Sequence, residues 1–225
     1  MKIAAQHLRA IRTMFQDLPQ QTLPILSSTK LRLSSAALAA TASADRSQRT
    51  AAVLIPLINV NDKGSILFTK RSQEVGTHKG QISFPGGHVE KGEGIVEAAI
   101  RETQEELGYD LSGKVQVLGR CGEIPSITGT PCYPVLGFLD IDVDNSVDLF
   151  FSDSNRAEVD HVFSRQIDEL VAAEKMENIT NSVTGFNYRA PCYDHDHLGR
   201  IWGLTAMICK PVLGQIAPLL TKVEK

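Results

Sequence analysis

The chain has 225 residues, 42% of them hydrophobic, so it can bury a core without depending on disulfides or structural metals. Its 23 Lys and Arg against 26 Asp and Glu give a net charge of −3, which excludes a global positive field for binding nucleic acid. The four cysteines form no C-x-x-C pair, which favours single buried thiols over a disulfide scaffold or a zinc site.

The first fifty residues differ from the rest in charge. They contain seven basic and two acidic residues, a net charge of +5, which leaves −8 on residues 51–225. Residues 7–15 can be drawn as a basic amphipathic helix, and this composition is typical of an organelle transit peptide. A helix attached to the fold and followed by a surface loop is the equal alternative. Residues 1–49 are therefore treated as an N-terminal extension, and both a mitochondrial and a cytoplasmic location stay open.

The pattern after residue 50 predicts a buried β-hairpin. Residues 51–58 form an apolar, β-branched run in which Pro56 indicates an irregularity or an edge position. Residues 61–64 read Asn-Asp-Lys-Gly, a turn signal, and residues 65–70 form the returning strand. Further strands are predicted at residues 115–119 and 133–143.

Three helices are predicted, at residues 95–107, 165–173 and 201–220. The last contains Gly203, Pro211 and Gly214 and could be broken at them. No apolar run reaches the length of a membrane span. The mixture of elements predicts one α/β or α+β domain with a central sheet over residues 50–222.

The predicted helix at residues 95–107 has two faces of opposite chemistry. Glu102, Glu105 and Glu106 share one side at spacings i, i+3 and i+4, where like charges repel by roughly 0.2 to 0.5 kcal/mol per pair. Gly108 is placed to cap the C-terminus. The opposite stripe is apolar and predicted to pack on the sheet: Val96, Ala99, Ile100, Thr103 and Leu107.

The acidic side predicts a site for a divalent cation. Mg²⁺ and Mn²⁺ prefer a few carboxylates together with waters and phosphate oxygens, which would offset the repulsion. The alternative is a solvated acidic face with Glu97 and Arg101 as an ordinary surface pair. That alternative does not account for Gly86, Gly87 and Gly92 before the helix, which let the backbone approach an ion or a phosphate.

The same stretch resembles the signature of a known family. Gly87, five residues, Glu93, seven residues and then Arg101-Glu102-Thr103-Gln104-Glu105-Glu106-Leu107-Gly108-Tyr109 is similar to the Nudix box of hydrolases that cut nucleoside diphosphates linked to another group. Thr103 stands where an aliphatic residue is usual. The resemblance implies an α/β/α sandwich with a mixed central sheet.

The resemblance also implies roles for single residues. Glu102 and Glu106 would be the main ligands of Mg²⁺ or Mn²⁺, with Glu105 as a further ligand or the activator of the attacking water. Arg101 would orient these carboxylates, and Glu93 would support the loop. Some members of the family hold the base outside the box. Glu158 is the candidate here, and an ordinary exposed carboxylate is its alternative.

Segments upstream of the box are similar to the coenzyme A pyrophosphatase branch of the family. Residues 67–72 read Leu-Phe-Thr-Lys-Arg-Ser, and residues 80–87 end in Phe-Pro-Gly-Gly. The signature's arginine is replaced by Gly76, so Arg71 and Lys79 are the cations expected to bind the substrate phosphates, together with the backbone of Gly86 and Gly87. Residues 124–126, 128–129, 133–135 and 201–206 are similar to further segments of that branch.

The expected partner is therefore a small molecule, coenzyme A or an acyl derivative, and no nucleic acid. ADP-ribose, NADH or another nucleoside diphosphate derivative is the alternative substrate. A catalytically silent binding module would lack part of the acidic set.

Several other residues are judged from their surroundings. Trp202 and Phe84 are predicted to pack in the core, and His195 and His197 are rejected as a metal site. Ser126, Thr128 and Thr130 form a loop of small residues. The sequence leaves the oligomeric state open.

Overall fold

A computed structural model describes residues 1–16, 50–73, 79–126, 129–141, 143, 147, 157–180, 187–195 and 198–221. Most of the N-terminal extension, the segment from Gly76 to His78, Thr128 and His197 lie outside these residues, as does the side chain of His195.

The described chain alternates between helices and strands. The helices are α1 (Ala5–Gln16), α2 (Ile95–Leu107), α3 (Ile167–Ala173) and α4 (Gly203–Thr221). The strands are β1 (Ala51–Val60), β2 (Lys63–Arg71), β3 (Ile82–Ser83), β4 (Gly86–His88), β5 (Val115–Arg120), β6 (Ile124–Pro125), β7 (Pro131–Leu139), β8 (Val159–Gln166), β9 (Glu174–Thr180), β10 (Asn187–His195) and β11 (Gly199–Ile201).

The central sheet is mixed, as predicted. Its main path is β3-β2-β1-β7-β5, with β4 on β1, β6 on β7 and β8 on β2. Strands β1 and β7 run parallel, whereas the other ladders are antiparallel. The hairpin β1–β2 turns at Asn61 and Asp62, which both have positive φ, as the turn signal indicates.

Pro56 lies at an irregularity in the interior of the sheet. On one side of β1, the ladder to β4 ends at Val53 and the ladder to β2 begins at Leu57. On the other side, Pro56 pairs with Gly137 of β7. Pro56 therefore lies between the end of the β4 ladder and the start of the β2 ladder, where a missing N–H breaks no hydrogen bond to either strand.

Two apolar cores lie on opposite faces of the sheet and give the α/β/α sandwich. Alternating residues of β1 divide between them: Ile55 and Leu57 join the core under α1, α3 and α4, whereas Leu54 and Ile58 join the core under α2. The predicted fold class is therefore confirmed. All four cysteines are buried and free, as the sequence indicates.

Helix α1 is packed into the larger core. Ile3, Leu8, Ile11 and Phe15 are buried there, and the backbone of Ile3 exchanges two hydrogen bonds with the Asn59 side chain at 2.8 and 3.0 Å. This packing supports the interpretation of residues 7–15 as a helix attached to the fold.

Helix α4 runs without a break through Pro211 and Pro218, contrary to the expected interruption. Eight of its side chains are buried, and this packing offsets the cost of about 3 kcal/mol for an interior proline. The expectation that no apolar run reaches the length of a membrane span is also wrong for α4. By length and composition alone α4 could cross a membrane. A core helix passes the same test, and α4 packs against β10, α3 and α1.

The C-terminal third contains strands that the sequence pattern does not predict. Strands β9, β10 and β11 form a separate antiparallel sheet, and β8 occupies the first two residues of the helix predicted at 165–173. Most of β9 is exposed or half-buried and carries charged residues, so it lacks the apolar alternation of a typical strand.

Candidate active site

Helix α2 begins and ends at the predicted residues. The carboxylate of Glu97 accepts a hydrogen bond from the N–H of Gly94 at 2.9 Å, which satisfies a free donor at the N-terminus. Glu97 therefore caps the helix instead of forming the surface pair with Arg101 that the alternative suggested. Gly108 caps the C-terminus in the left-handed conformation, with φ of 61°.

Three of the four glutamates of α2, Glu102, Glu105 and Glu106, do not share one exposed face, so that expectation is wrong for Glu106. The side chain of Glu105 is 56% exposed and that of Glu102 21%, whereas that of Glu106 is 6% exposed. Position 106 directly precedes the buried Leu107 and follows the buried Thr103 by three residues. Glu106 therefore points under the helix, towards strand β2.

Two residues of β2 meet Glu106. The hydroxyl of Thr69 donates to Oε2 of Glu106 at 3.2 Å, and Nη1 of Arg71 lies 3.9 Å from Oε1. Thr69 and Arg71 are two positions apart in the strand, so both side chains face the α2 side of the sheet. The buried Nε of Arg71 has no hydrogen-bond partner among the described residues. Arg71 thus keeps a free donor beside a carboxylate.

Burial raises the pKa of Glu106 to about 7. The charge of Arg71 and the hydrogen bond from Thr69 act in the opposite direction but do not cancel the cost of desolvation. The neighbouring carboxylates of Glu102 and Glu158 raise the pKa further. A bound cation would stabilise the ionised form of this group.

Arg101 connects the loop before α2 to the helix. Its guanidinium binds both oxygens of Glu93, with Nε to Oε1 at 2.8 Å and Nη2 to Oε2 at 3.0 Å. The Nη1 group reaches Glu102 at 3.0 Å and Glu105 at 3.3 Å. The hydrogen bond from Arg101 lowers the pKa of Glu93. Arg101 therefore orients two of the three acids, and Glu93 fixes Arg101.

Two glycines let the backbone of β4 lie close to its neighbours, Gly87 against α2 and Gly86 against β1. A Cβ atom at Gly87 would lie 2.3 Å from Oε2 of Glu102, so any side chain would displace that carboxylate. At Gly86, a Cβ would lie 2.3 Å from the carbonyl oxygen of Ala52, and φ is 151°. The backbone at Gly87 is thus close to Glu102, whereas that at Gly86 lies against β1, and binding of a phosphate or an ion by either glycine stays a prediction.

Lys79 and Glu158 are the remaining predicted site residues. Lys79 is exposed, and the N–H of the following Gly80 donates to the carbonyl of Arg71 at 3.1 Å, so the backbone next to Lys79 lies beside Arg71. Glu158 is exposed, and its carbonyl accepts the N–H of Ser72 at 2.8 Å. The charge of its side chain raises the pKa of Glu106.

Of the two aromatic residues predicted to lie in the core, one is buried and the other is exposed. Phe84 is buried and stacks on Phe68 with 5.1 Å between ring centroids, as expected. Trp202 is 52% exposed, so its assignment to the core is wrong. Burial of Ile201 on one side and Thr205 on the other leaves the indole between them at the surface.

The sequence interpretation missed Thr69 and Ser83 as parts of the site. The oxygen of Ser83 lies 3.4 Å from that of Thr69, so the two hydroxyls and Glu106 form a chain of hydrogen bonds. Both residues lie within the upstream segments quoted above. The pattern did not indicate which of their side chains face α2.

The donor set suits a hard cation whose shell is completed by other ligands. Within the described ranges, no three His, Cys, Asp or Glu side chains are grouped closely enough to enclose a metal ion. Mg²⁺ is commonly held by one or two carboxylates together with waters and phosphate oxygens, so a complete protein cage is not required. The buried Glu106, the adjacent Glu102 and the backbone at Gly87 fit that partial shell.

Comparison with known proteins places the domain in a family. The NUDIX domain family matches residues 48–182. The mitochondrial coenzyme A diphosphatase NUDT8 of Mus musculus is 36% identical over 172 residues, which cover 75% of this chain and 78% of the relative. The Homo sapiens protein of the same name is 34% identical, covering 75% and 70% of the two chains. The uncharacterized Nudix hydrolase NudL of Photorhabdus laumondii is 34% identical, covering 75% and 85%.

Solved structures also resemble the chain. The MutT protein of Methanosarcina mazei Go1 matches with a TM-score of 0.46 and 18% identity, covering 75% of this chain and 94% of that one.

Proposed function

The chain belongs to the Nudix hydrolase family, and from that membership we propose that it cleaves the diphosphate bond of coenzyme A and acyl-coenzyme A. The products would be 3′,5′-ADP and 4′-phosphopantetheine or its acylated form. The observation that carries the proposal is the meeting of Arg71, with its free Nε donor, and the buried Glu106, because an anionic phosphate and a cation would complement these two groups. The names of the Mus musculus and Homo sapiens relatives support coenzyme A as the substrate.

Nudix hydrolases generally need divalent metal ions, and we propose Mg²⁺ or Mn²⁺ for this chain. A bound ion of this kind would neutralise phosphate oxygens and lower the pKa of an attacking water. Glu102 and Glu106 would hold the ion, and Glu105 would be a further ligand or would activate the water. Arg101 would keep Glu102 and Glu105 in place through its contacts at 3.0 and 3.3 Å.

The substrate would be bound by groups outside α2. Arg71 and Lys79 would contact the phosphates, with the backbone of Gly86 and Gly87 against the diphosphate. Glu158 is our candidate for the proton acceptor, because its charge reaches Glu106 while its side chain stays exposed.

A second substrate class is favoured by one observation. The arginine of the coenzyme A signature is Gly76 here, which removes a cation from the loop expected to bind the 3′-phosphate. ADP-ribose, NADH or a similar nucleoside diphosphate derivative lacks that phosphate and would not need the missing cation.

A panel of substrates tests the proposal. Coenzyme A, dephospho-coenzyme A and ADP-ribose are assayed in parallel with Mg²⁺ and Mn²⁺ added separately, and Glu106→Gln is the inactive control. We expect coenzyme A to be cleaved with the highest kcat/KM and the variant to lose most of the activity. A clear preference for ADP-ribose would overturn the assignment of coenzyme A, and full turnover by a folded Glu106→Gln enzyme would overturn the metal-binding role.

The compartment is a further part of the proposal. The Mus musculus and Homo sapiens relatives are named as mitochondrial, which favours the mitochondrion over the cytosol. Imaging of the chain with a C-terminal tag tests this, and a uniform cytosolic signal would contradict it.

A further inference from the structure

The single tryptophan of the chain is held at the surface by its neighbours. Trp202 is 52% exposed, but Ile201 before it is buried and pairs with Tyr193 of β10. Three residues later, the hydroxyl of Thr205 donates to the carbonyl of Ile82 at 3.2 Å. The backbone on both sides is thus anchored in the core, so the exposure of the indole follows from the fold.

Trp202 lies close to the two-residue strand β3. Strand β11, which directly precedes Trp202, packs against β3, and a Cβ at Gly199 would lie 3.8 Å from Cδ1 of Ile82. The next residue of β3, Ser83, pairs with Thr69, whose hydroxyl reaches Glu106. The segment carrying the indole and the Glu106 carboxylate therefore both lie close to the same short strand, which is at one end of the main path of the sheet.

The residues around β3 include basic side chains, which suit the phosphates of a nucleotide, and an indole, which suits its base. Ile82 pairs with Lys70, next to Arg71, and Lys79 lies three residues before Ile82. Lys70, Arg71 and Lys79 therefore lie on or next to the strands that connect Glu106 to the segment that carries Trp202. A substrate whose diphosphate is bound at Arg71 and Glu106 extends beyond the diphosphate in both directions. Its nucleoside arm ends in a flat aromatic base. Stacking of a base on an aromatic side chain contributes about 1–3 kcal/mol.

We infer that Trp202 binds the purine base of the substrate by stacking on its exposed indole. This inference rests on the proposed function, because it needs a diphosphate substrate at the Glu106 site. Trp202 would then be a specificity residue for adenine nucleotides and would take no part in the cleavage step.

Other occupants of this surface are less well supported by the structure. Covering by a second copy of the chain would call for a broad apolar patch, whereas the large exposed apolar side chains among the described residues are scattered. Val171 belongs to α3 and Met176 to β9, while Trp202 follows β11. The pantetheine arm has no aromatic ring to stack on the indole.

Binding of the two halves of the substrate tests the inference. The intact chain, Trp202→Phe and Trp202→Ala are titrated by calorimetry with adenosine 3′,5′-bisphosphate and, separately, with 4′-phosphopantetheine. We expect Trp202→Ala to weaken binding of the bisphosphate by about tenfold and Trp202→Phe to retain most of it. Binding of 4′-phosphopantetheine should not change. Val171→Ala, which removes another exposed apolar side chain, is the matched control and should bind both ligands normally.

Fluorescence gives a second readout, because Trp202 is the only tryptophan and reports on its own surroundings. Saturable quenching of the intact chain by adenosine 3′,5′-bisphosphate or 5′-AMP is expected. Unchanged binding of the bisphosphate by Trp202→Ala would overturn the inference, as would selective loss of 4′-phosphopantetheine binding. A change of oligomeric state in Trp202→Ala with normal nucleotide binding would also overturn it.

Failure of this inference can be told apart from failure of the proposed function. If ADP-ribose is the preferred substrate but Trp202→Ala weakens 5′-AMP binding, the assignment of coenzyme A is wrong and the stacking role stands. If coenzyme A is cleaved normally and Trp202→Ala binds the bisphosphate as the intact chain does, the function stands and the stacking role is wrong.

Discussion

Thr69 and Glu106 lie 37 residues apart in the chain, and the hydroxyl of Thr69 donates to Oε2 of Glu106 at 3.2 Å. Both groups are buried, and the second oxygen of Glu106 has Arg71 at 3.9 Å. A buried carboxylate needs such donors to remain ionised, and an ionised Glu106 is what a cation would require. Thr69 is therefore a positioning residue for the proposed metal ligand.

Replacement of Thr69 by valine keeps the shape of the side chain and removes the donor. Hydrogen bonds to charged groups contribute about 1.5–3 kcal/mol, so we expect Thr69→Val to weaken Mn²⁺ binding by about tenfold or more in calorimetry. Thr69→Ser should restore most of the affinity. Thr103→Val is the matched control, because Thr103 is also buried but its hydroxyl bonds only to Ala99 of its own helix at 2.6 Å. Equal losses in the Thr69→Val and Thr103→Val variants would contradict the positioning role.

A methyl group at Gly87 should disturb Glu102. Because a Cβ there would lie 2.3 Å from the Glu102 carboxylate, Gly87→Ala must shift either the strand or the glutamate. We expect kcat to fall about 100-fold, while far-UV circular dichroism stays unchanged. Gly214→Ala is the control, since a Cβ in that position of α4 meets no atom within 4 Å. Normal activity of Gly87→Ala would show that the close contact does not matter for the reaction.

The bidentate contact between Arg101 and Glu93 should not be replaceable by lysine. A lysine can form one of the several contacts of Arg101 but not the fork to both oxygens of Glu93 together with Glu102 and Glu105. We expect Arg101→Lys to lower kcat about 10- to 100-fold and to weaken the metal affinity. Arg165→Lys, at a half-buried arginine that pairs with Glu169 at 3.5 Å outside the proposed site, should leave kcat and the metal affinity nearly unchanged. Similar kinetics for the two lysine variants would argue against a special role for Arg101.

The parts of this molecule that follow from local signals were predictable from the sequence. The two-residue turn at Asn61 and Asp62 and the helix over residues 95–107 have their determinants within a few residues of each other. The Nudix pattern lies in the same local stretch. These features do not depend on what packs against them, so periodicity and turn chemistry were sufficient.

The failures depend on contacts between distant segments. Helical periodicity placed Glu106 beside Glu102 but could not show that β2 lies over it, because Thr69 comes from another part of the chain. Pro211 lowers helix propensity, and only the buried contacts of α4 reverse that preference. Trp202 looked like a core residue by its type, yet its neighbours occupy the core and leave it outside.

The raised pKa of Glu106 makes the stability of the metal-free protein depend on pH. In the folded state this pKa is about 7, against 4.5 for the ordinary group, so the folded state binds more protons between these values. The contribution of Glu106 to the free energy of unfolding should therefore be highest below pH 4.5 and should fall as the pH rises to 7. The loss is on the order of 3 kcal/mol, at about 1.4 kcal/mol per pKa unit.

Denaturant unfolding in the presence of a chelator, at several values from pH 5 to pH 8, measures this effect. Glu106→Gln should flatten the decline and be more stable than the intact chain at pH 8. Added Mn²⁺ should stabilise the intact chain at pH 8 and have little effect on the variant. The same decline with pH in both proteins would show that another group is responsible.

Helix α1 should be required for folding, because it contributes three buried side chains, Leu8, Ile11 and Phe15, to the larger core. Phe15 packs tightly on β5, where a Cβ at Gly119 would lie 2.4 Å from Cβ of Phe15. We expect Phe15→Ala to lower the free energy of unfolding by about 3–5 kcal/mol and Gly119→Ala to be destabilising by overpacking, about 1–3 kcal/mol. Arg12→Ala, on the exposed side of α1, should change stability by less than about 0.5 kcal/mol.

Removal of residues 1–16 separates the two interpretations of this segment. A helix that belongs to the core leaves the apolar surfaces of β5 and α4 uncovered when it is removed, so the shortened chain should be insoluble or unfold at a much lower temperature. Determination of the N-terminus of the protein purified from cells completes the test. A mature protein that starts after residue 16 and is as stable as the full chain would mean that α1 is dispensable, and its packing against Gly119 would then have no role in the folded enzyme.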